Sequence, residues 1–140
     1  MIKFDNVSKK FPLGNLALED ISFEIQNDEF VFLVGPSGAG KTTILKLITH
    51  EYEPTSGTVL VDDFNLSAKN FNQVENLRKR IGVVFQDFKV LPDKQVYENI
   101  ALSLKVLGMD QGRINKEIRE ALDLVGLMGK ENLFPAQLSA

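Results

Sequence analysis

The stretch that decides the fold reads FVFLVGPSGAGKTT and occupies residues 30–43. Its first five residues are apolar, which is typical of a strand covered by helices on both faces. Three residues in the loop that follows permit backbone angles disfavoured by side chains: Gly35, Gly38 and Gly40. Consecutive N–H groups can therefore curl around an anion, at the N-terminal end of a helix that itself favours negative charge. The stretch predicts a strand, a phosphate-binding loop and a helix, in that order.

The spacing of glycines, lysine and threonine in this loop is that of nucleoside-triphosphate enzymes. The motif predicts that Lys41 reaches the β- and γ-phosphates and that the Thr42 hydroxyl holds the Mg²⁺ bridging them. The predicted nucleotide-binding residues of the loop are Gly35, Pro36, Ser37, Gly38, Ala39, Gly40, Lys41, Thr42 and Thr43. The alternative is a glycine-rich turn before an ordinary helix, and the strand-loop-helix context disfavours it.

Composition limits the remaining possibilities. The chain has 140 residues, of which 44% are hydrophobic, so it can bury one compact core. Its net charge of -3 gives no electrostatic support for nucleic acid as the main partner. The absence of cysteine excludes disulfides and thiolate metal sites. No apolar run approaches the roughly 18 residues that a membrane-spanning helix needs.

Periodicity predicts the other elements. Residues 2–4 and 18–25 alternate in polarity, which indicates antiparallel strands joined through a turn at residues 12–15. Further strands are predicted at residues 58–61 and 81–85, and helices at residues 41–49 and 75–80. Two amphipathic helices follow, with apolar residues at helical spacing: Val96, Ile100, Leu104 and Leu107, then Ile114, Ile118, Leu122 and Val125. The basic run 78–80 is either a solvated face or a contact with phosphate or a partner.

With these elements in order, the chain resembles the nucleotide-binding domain of ATP-binding cassette (ABC) proteins over essentially its whole length. The resemblance rests on the phosphate loop, on the turn at residues 54–57 and on the run IGVVFQD at residues 81–87. It implies an α/β fold with an N-terminal antiparallel part, parallel core strands and the start of a helical subdomain. Residues 1–87 would form the nucleotide-binding core and residues 88–140 the helical subdomain.

The resemblance also implies two nucleotide contacts outside the phosphate loop. Gln86 lies at the position of the glutamine that contacts Mg²⁺ and the attacking water, and an amide oxygen suits that role. Phe11 lies at the position of the aromatic residue that stacks on adenine, for which any ring face serves. An ordinary surface glutamine and a core phenylalanine are the alternative interpretations. The implied cofactors are ATP and Mg²⁺.

Within the ABC family, the run FQDFKVLPDK at residues 85–94 resembles cell-division ATPases of the FtsE type. Lipoprotein-release and macrolide-export ATPases share much of this pattern and remain alternatives. The resemblance implies that two copies of the full-length ATPase dimerise and that an FtsX-type membrane subunit holds the protein at the cytoplasmic face of the membrane. The partner surface would contain Phe88, Val90, Leu91 and Tyr97, although Val90 and Leu91 could instead fill the subdomain's own core.

The last residues, Leu138, Ser139 and Ala140, match only the beginning of the family's signature motif, whose next residue is normally glycine. We therefore expect an N-terminal part of an ABC ATPase that lacks the Walker B aspartate and the catalytic glutamate. Such a chain would bind ATP and hydrolyse it negligibly. The two remaining hypotheses are a nucleotide-binding module without catalysis and another phosphate-loop enzyme, such as a small-molecule kinase. The glutamine after residues 81–85 and the Leu-Ser ending disfavour the kinase.

Overall fold

The computed structural model describes residues 1–138, so Ser139 of the predicted partial signature lies outside the described residues. The chain divides into two compact units, Met1–Gly82 and residues 83–140. In the described part of the chain, no helix is both long and apolar enough to cross a membrane.

The first unit is built on an antiparallel sheet of four strands in the order β2-β1-β3-β4. The strands are β1 (Ile2–Lys10), β2 (Leu16–Ile25), β3 (Ser56–Val61) and β4 (Phe64–Asn65). Phe4 of β1 pairs with Phe23 on one side and with Val59 on the other, which places apolar side chains of three strands on one face. The prediction of an antiparallel pair joined through residues 12–15 is confirmed.

The core of the first unit lies between this sheet and two short helices, α1 (Lys41–Ile48) and α2 (Val74–Arg80). Helix α1 contributes Ile44 and Leu47, and α2 contributes Leu77. Leu45 of the same helix is exposed. A short surface helix buries one stripe at spacing three to four, and Leu45 lies outside it.

Two predicted strands do not form. Residues 30–34 and 81–85 have no strand assignment and pair with no strand of residues 1–138. Phe30 is 85% exposed and Val84 is 95% exposed, although apolar runs of this kind predict central strands with both faces covered. A strand requires a hydrogen-bonded neighbour, and the sheet of the first unit contains only β1 to β4 within the described residues. The expected parallel core strands are therefore absent from this part of the chain.

The basic run at residues 78–80 makes contacts within the first unit. Arg78 donates from Nε to the Thr49 carbonyl at 3.1 Å, at the C-terminal end of α1. Lys79 pairs with Glu75 one helical turn away, at 2.8 Å. Arg80 pairs with Asp63 at 2.7 Å. These contacts favour a structural role for the run over a contact with phosphate.

The second unit contains the two predicted amphipathic helices, α3 (Val96–Val106) and α4 (Gln111–Leu124). They enclose a small core made of Val96, Ala101, Ile114, Ile118 and Leu122. Asp110 caps α4 by accepting from the Arg113 N–H at 3.1 Å. A 3₁₀ turn at Pro135–Gln137 precedes Leu138, which packs against this core.

Candidate nucleotide-binding site

The predicted phosphate loop forms a compact turn that ends at the start of α1. The Ala39 N–H donates to the Pro36 carbonyl at 3.2 Å, and the Ile44 N–H donates to the Gly40 carbonyl at 3.0 Å. Gly38 and Gly40 have φ angles of 80° and 89°, in the left-handed region that favours glycine. Two of the predicted glycines therefore provide the backbone conformation for which they were singled out.

Packing also requires glycine at position 40. A Cβ atom at this position would lie 2.7 Å from the Ala17 carbonyl oxygen and 2.6 Å from Leu18 Cδ2. The phosphate loop thus lies directly against β2, and only a residue without a side chain fits. This contact fixes the start of α1 relative to the antiparallel sheet.

The Lys41 side chain curls back over the loop. Its ammonium donates to the Gly35 carbonyl at 2.7 Å and to the Pro36 carbonyl at 2.8 Å. Both contacts are exposed, so the ammonium lies at the surface of the loop and not in apolar surroundings. An ammonium has three donors, and two carbonyl contacts leave one for an anionic oxygen.

The backbone donors in the first turn of α1 have no partner within that helix. Its N-cap residue is Gly40, and no side chain of residues 1–138 caps this helix start. The amides of Lys41, Thr42 and Thr43 precede the first intrahelical bond, which the Ile44 N–H makes to Gly40. Unpaired amides and the positive end of the helix dipole together favour an anion at this point.

A cavity of about 590 Å³ lies at the phosphate loop and extends to Phe11. Its lining residues in the described chain are Phe11, Asn15, Leu16, Ala17, Ser37, Gly38, Ala39, Gly40, Lys41, Thr42 and Thr43. Phe11 is half-buried and is not one of the buried residues of the first core. The structure therefore brings Phe11 together with most of the phosphate loop, so that one cavity is lined by an aromatic residue and by the Lys41 cation.

Gln86 belongs to the second unit, where it lies exposed in a tight turn. The Phe88 N–H donates to the Phe85 carbonyl at 3.1 Å and closes the turn around Gln86 and Asp87. Phe88 and Lys89 both have positive φ angles, 56° and 49°. Left-handed conformations at non-glycine residues cluster at functional sites. The Lys89 ammonium donates to the Asp87 carboxylate, which lowers the pKa of Asp87 and keeps it ionised.

The residues predicted to face a partner are mostly exposed. Phe88 is 77% exposed, and Val90 and Leu91 are also exposed and contribute nothing to the second core. The interpretation of Val90 and Leu91 as core residues therefore has no support. Tyr97 differs, since it is half-buried against this core and its hydroxyl donates to Asn115 Oδ1 at 2.6 Å.

The sequence reasoning missed the residue that anchors this exposed segment. Asn99 on α3 accepts from the Leu91 N–H at 2.8 Å through Oδ1. Its Nδ2 contacts the carbonyl oxygens of Leu91, Lys94 and Gln95 at 3.1, 3.0 and 3.0 Å. One amide side chain thus fixes the segment between Leu91 and the start of α3. An asparagine one turn into a helix behind a proline-containing loop was the available signal.

Comparison with known proteins gives the family of this chain. A model of the ABC transporter family matches residues 18–140, and the chain belongs to that family. The chain has part of the α/β fold of ATP-binding cassettes. It superposes with a TM-score of 0.85, at 33% identity, on the ATP-binding cassette MJ0796 in its dimeric, post-hydrolysis structure bound to ADP and Pi. That match covers 99% of this chain and 63% of the other.

Among curated relatives, the chain is 46% identical to the cell division ATP-binding protein FtsE of Bacillus subtilis (strain 168). It is 44% identical to FtsE of Mycobacterium tuberculosis (strain ATCC 25618 / H37Rv). The methionine import ATP-binding protein MetN of Helicobacter hepaticus (strain ATCC 51449 / 3B1) is 37% identical. Each match covers 99% of this chain, which spans 61% of the length of these two FtsE proteins and 40% of that of MetN.

Proposed function

We propose that this chain is the ATP-binding part of an ABC ATPase. The observation that carries the proposal is the cavity that joins the phosphate loop to Phe11. Phosphates would lie at the unpaired amides of α1, and the adenine ring would stack on Phe11 at the other end. In this proposal the first unit is the nucleotide-binding core and the second unit is the helical subdomain.

The described residues fit the chemistry of a Mg²⁺-nucleotide. Lys41 would exchange one or both carbonyl contacts for the β- and γ-phosphate oxygens, which are stronger, charged acceptors. The Thr42 hydroxyl, which lines the cavity, would supply an oxygen ligand for the Mg²⁺. An amide oxygen such as that of Gln86 has the chemistry for the same role. The metal ion would neutralise phosphate charge. Ser37 and Thr43 would donate hydroxyl hydrogen bonds to the remaining phosphate oxygens.

Hydrolysis additionally needs a carboxylate that polarises the attacking water. None of the described residues that line the cavity is acidic. Asp62, which follows β3, accepts from the Met1 ammonium at 2.6 Å, and this hydrogen bond lowers its pKa. Asp63 pairs with Arg80. Both acids are thus engaged elsewhere in the first unit.

We therefore expect the 140-residue chain to bind ATP without hydrolysing it at a measurable rate. Loss of a well-placed catalytic group typically removes about two or more orders of magnitude in rate. Release of inorganic phosphate from ATP, measured on the purified chain beside a longer ABC ATPase, tests this expectation. Phosphate release at the rate of the longer enzyme would show that another group in this chain serves as the base.

The particular role we propose is that of an FtsE-type ATPase in bacterial cell division. The identities of 44–46% to two cell division ATP-binding proteins, against 37% to the methionine import protein, support this choice. ATPases of lipoprotein-release or macrolide-export systems are the alternative, since the nucleotide chemistry would be the same. The FtsE-type role and these alternatives differ in the membrane subunit that the ATPase binds.

The partner surface we propose consists of Phe88, Val90, Leu91 and Tyr97. Exposed apolar side chains beside a segment fixed by Asn99 can receive an apolar helix of an FtsX-type subunit. Through that subunit the protein would lie at the cytoplasmic face of the plasma membrane. Two copies of the full-length ATPase would dimerise, as the cassettes of MJ0796 do in their dimeric structures.

Co-purification with an FtsX-type subunit tests this assignment. We expect Leu91→Asp to abolish capture, because a carboxylate would then need to be desolvated in an apolar contact. Leu124→Asp is the matched control, since Leu124 is exposed at the end of α4, outside the proposed surface. Equal capture of both variants would remove the surface assignment. Capture by a lipoprotein-release subunit instead of an FtsX-type subunit would favour the alternative function.

A further inference from the structure

The ring of Phe11 packs against the ring of a second aromatic residue, Tyr52. The two ring centroids are 5.3 Å apart and the rings are nearly perpendicular, at 81°. This edge-to-face arrangement is one of the two favourable geometries for aromatic pairs. Tyr52 is half-buried and packs against the core of the first unit, whereas Phe11 lines the cavity. The core-anchored ring therefore supports the cavity-facing ring.

A cation completes this contact. The Lys9 ammonium lies 5.4 Å from the Phe11 centroid and 5.5 Å from the Tyr52 centroid, within the range of cation–π attraction. The same ammonium donates to the Glu53 carbonyl at 2.7 Å, which fixes its position beside both rings. Phe11 is thus held by Tyr52 and by Lys9 together.

Tyr52 is also tied to the helix that follows the phosphate loop. Its N–H donates to the Lys46 carbonyl at 3.1 Å, near the C-terminal end of α1. The Lys46 ammonium lies 4.9 Å from the Tyr52 centroid and 3.4 Å from its hydroxyl oxygen. Because α1 begins at the phosphate loop, Tyr52 links the Phe11 ring to the helix that starts at that loop.

We propose that Tyr52 is a positioning residue for the nucleotide base. It fixes the Phe11 ring relative to the phosphate loop, so that the base meets an already ordered surface when the phosphates bind. Ordering a contact ring before binding lowers the entropic cost of association. This inference rests on the proposed nucleotide binding at the same cavity.

Two probes separate this role from a general structural one. ATP engages both ends of the cavity, whereas inorganic tripolyphosphate engages only the phosphate loop. We expect Tyr52→Leu, which keeps apolar volume in the core, to weaken ATP binding about two- to tenfold, the worth of one aromatic pair. Affinity for tripolyphosphate should stay unchanged. Equal weakening of both probes, or no weakening of ATP, would overturn the inference.

Two further variants sharpen the test. Tyr52→Phe keeps the ring and loses only the hydroxyl, so ATP affinity should return to that of the parent chain. In a Phe11→Ala background, Tyr52→Leu should have no further effect, because it acts through the ring that is already missing. An additional loss there would show that Tyr52 acts on another part of the site. If the parent chain binds tripolyphosphate and ATP equally, the adenine contact at Phe11 and this inference fail, while phosphate binding at the loop stands. If it binds neither probe, the proposed function fails as a whole.

Discussion

Lys41→Ala is expected to weaken ATP binding about 10- to 100-fold, the worth of hydrogen bonds to a charged group. The ammonium already lies over the phosphate loop, held by the carbonyls of Gly35 and Pro36. Alanine would remove the only charge among the described residues that line the cavity. Calorimetric titration with ATP in the presence of Mg²⁺ measures the change, and the dependence of affinity on salt concentration should weaken with it.

Lys116→Ala is the matched control for this variant. Lys116 lies on α4 and pairs with Glu120 at 3.6 Å in an exposed position, so its loss changes the net charge equally. Its ATP affinity should equal that of the parent chain. If Lys41→Ala and Lys116→Ala bind ATP alike, the phosphate loop is not the phosphate site.

Gly57→Ala is expected to destabilise the first unit by about 3 kcal/mol or more, the combined effect of backbone strain and a clash with main chain. Gly57 has a φ angle of 83° at the start of β3. A Cβ atom there would lie 2.3 Å from the Asn6 carbonyl oxygen. Asn6 cannot move away freely, because its N–H donates to Ser22 Oγ and its side-chain amide donates to Asp20, both at 2.8 Å.

Gly14→Ala separates backbone strain from the main-chain clash, the two causes of the destabilisation expected for Gly57→Ala. Gly14 has a similar φ angle of 88°, but a Cβ atom there would meet nothing within 4 Å. It should therefore show only the strain of a left-handed alanine, about 1–2 kcal/mol. Urea unfolding of both variants gives their free energies of unfolding. The difference between the two losses measures the cost of the clash where β1 and β3 approach closely. Equal destabilisation by the two substitutions would show that this approach is relaxed in solution.

Local patterns in the sequence predicted most of the elements. The loop glycines, the alternation in β1 and β2 and the helical spacing around Ile118 each depend on residues close in the chain. The interpretation of residues 30–34 as a covered strand failed because a strand depends on a neighbour that no local pattern names. The same run of apolar residues is compatible with a covered strand and with the exposed segment observed here.

Local patterns also predicted part of the candidate site, namely the part whose residues are close in the chain. The phosphate loop is a contiguous motif, and Phe11 was assigned through family resemblance. The contact of Tyr52 with Phe11 joins residues 41 positions apart, and no spacing rule links them. The position of Asn99, one turn into a helix after a proline-containing loop, was a signal in the sequence, but it does not identify Leu91 as the partner.

The central claim is that ATP occupies the cavity between the phosphate loop and Phe11. Backbone amide shifts in ¹H–¹⁵N spectra of the chain, recorded during titration with ATP and Mg²⁺, test it most directly. We predict the largest shifts at Gly38, Gly40, Lys41 and Thr42, together with a shift at Phe11. Shifts that saturate elsewhere, with these amides unchanged, would contradict the account.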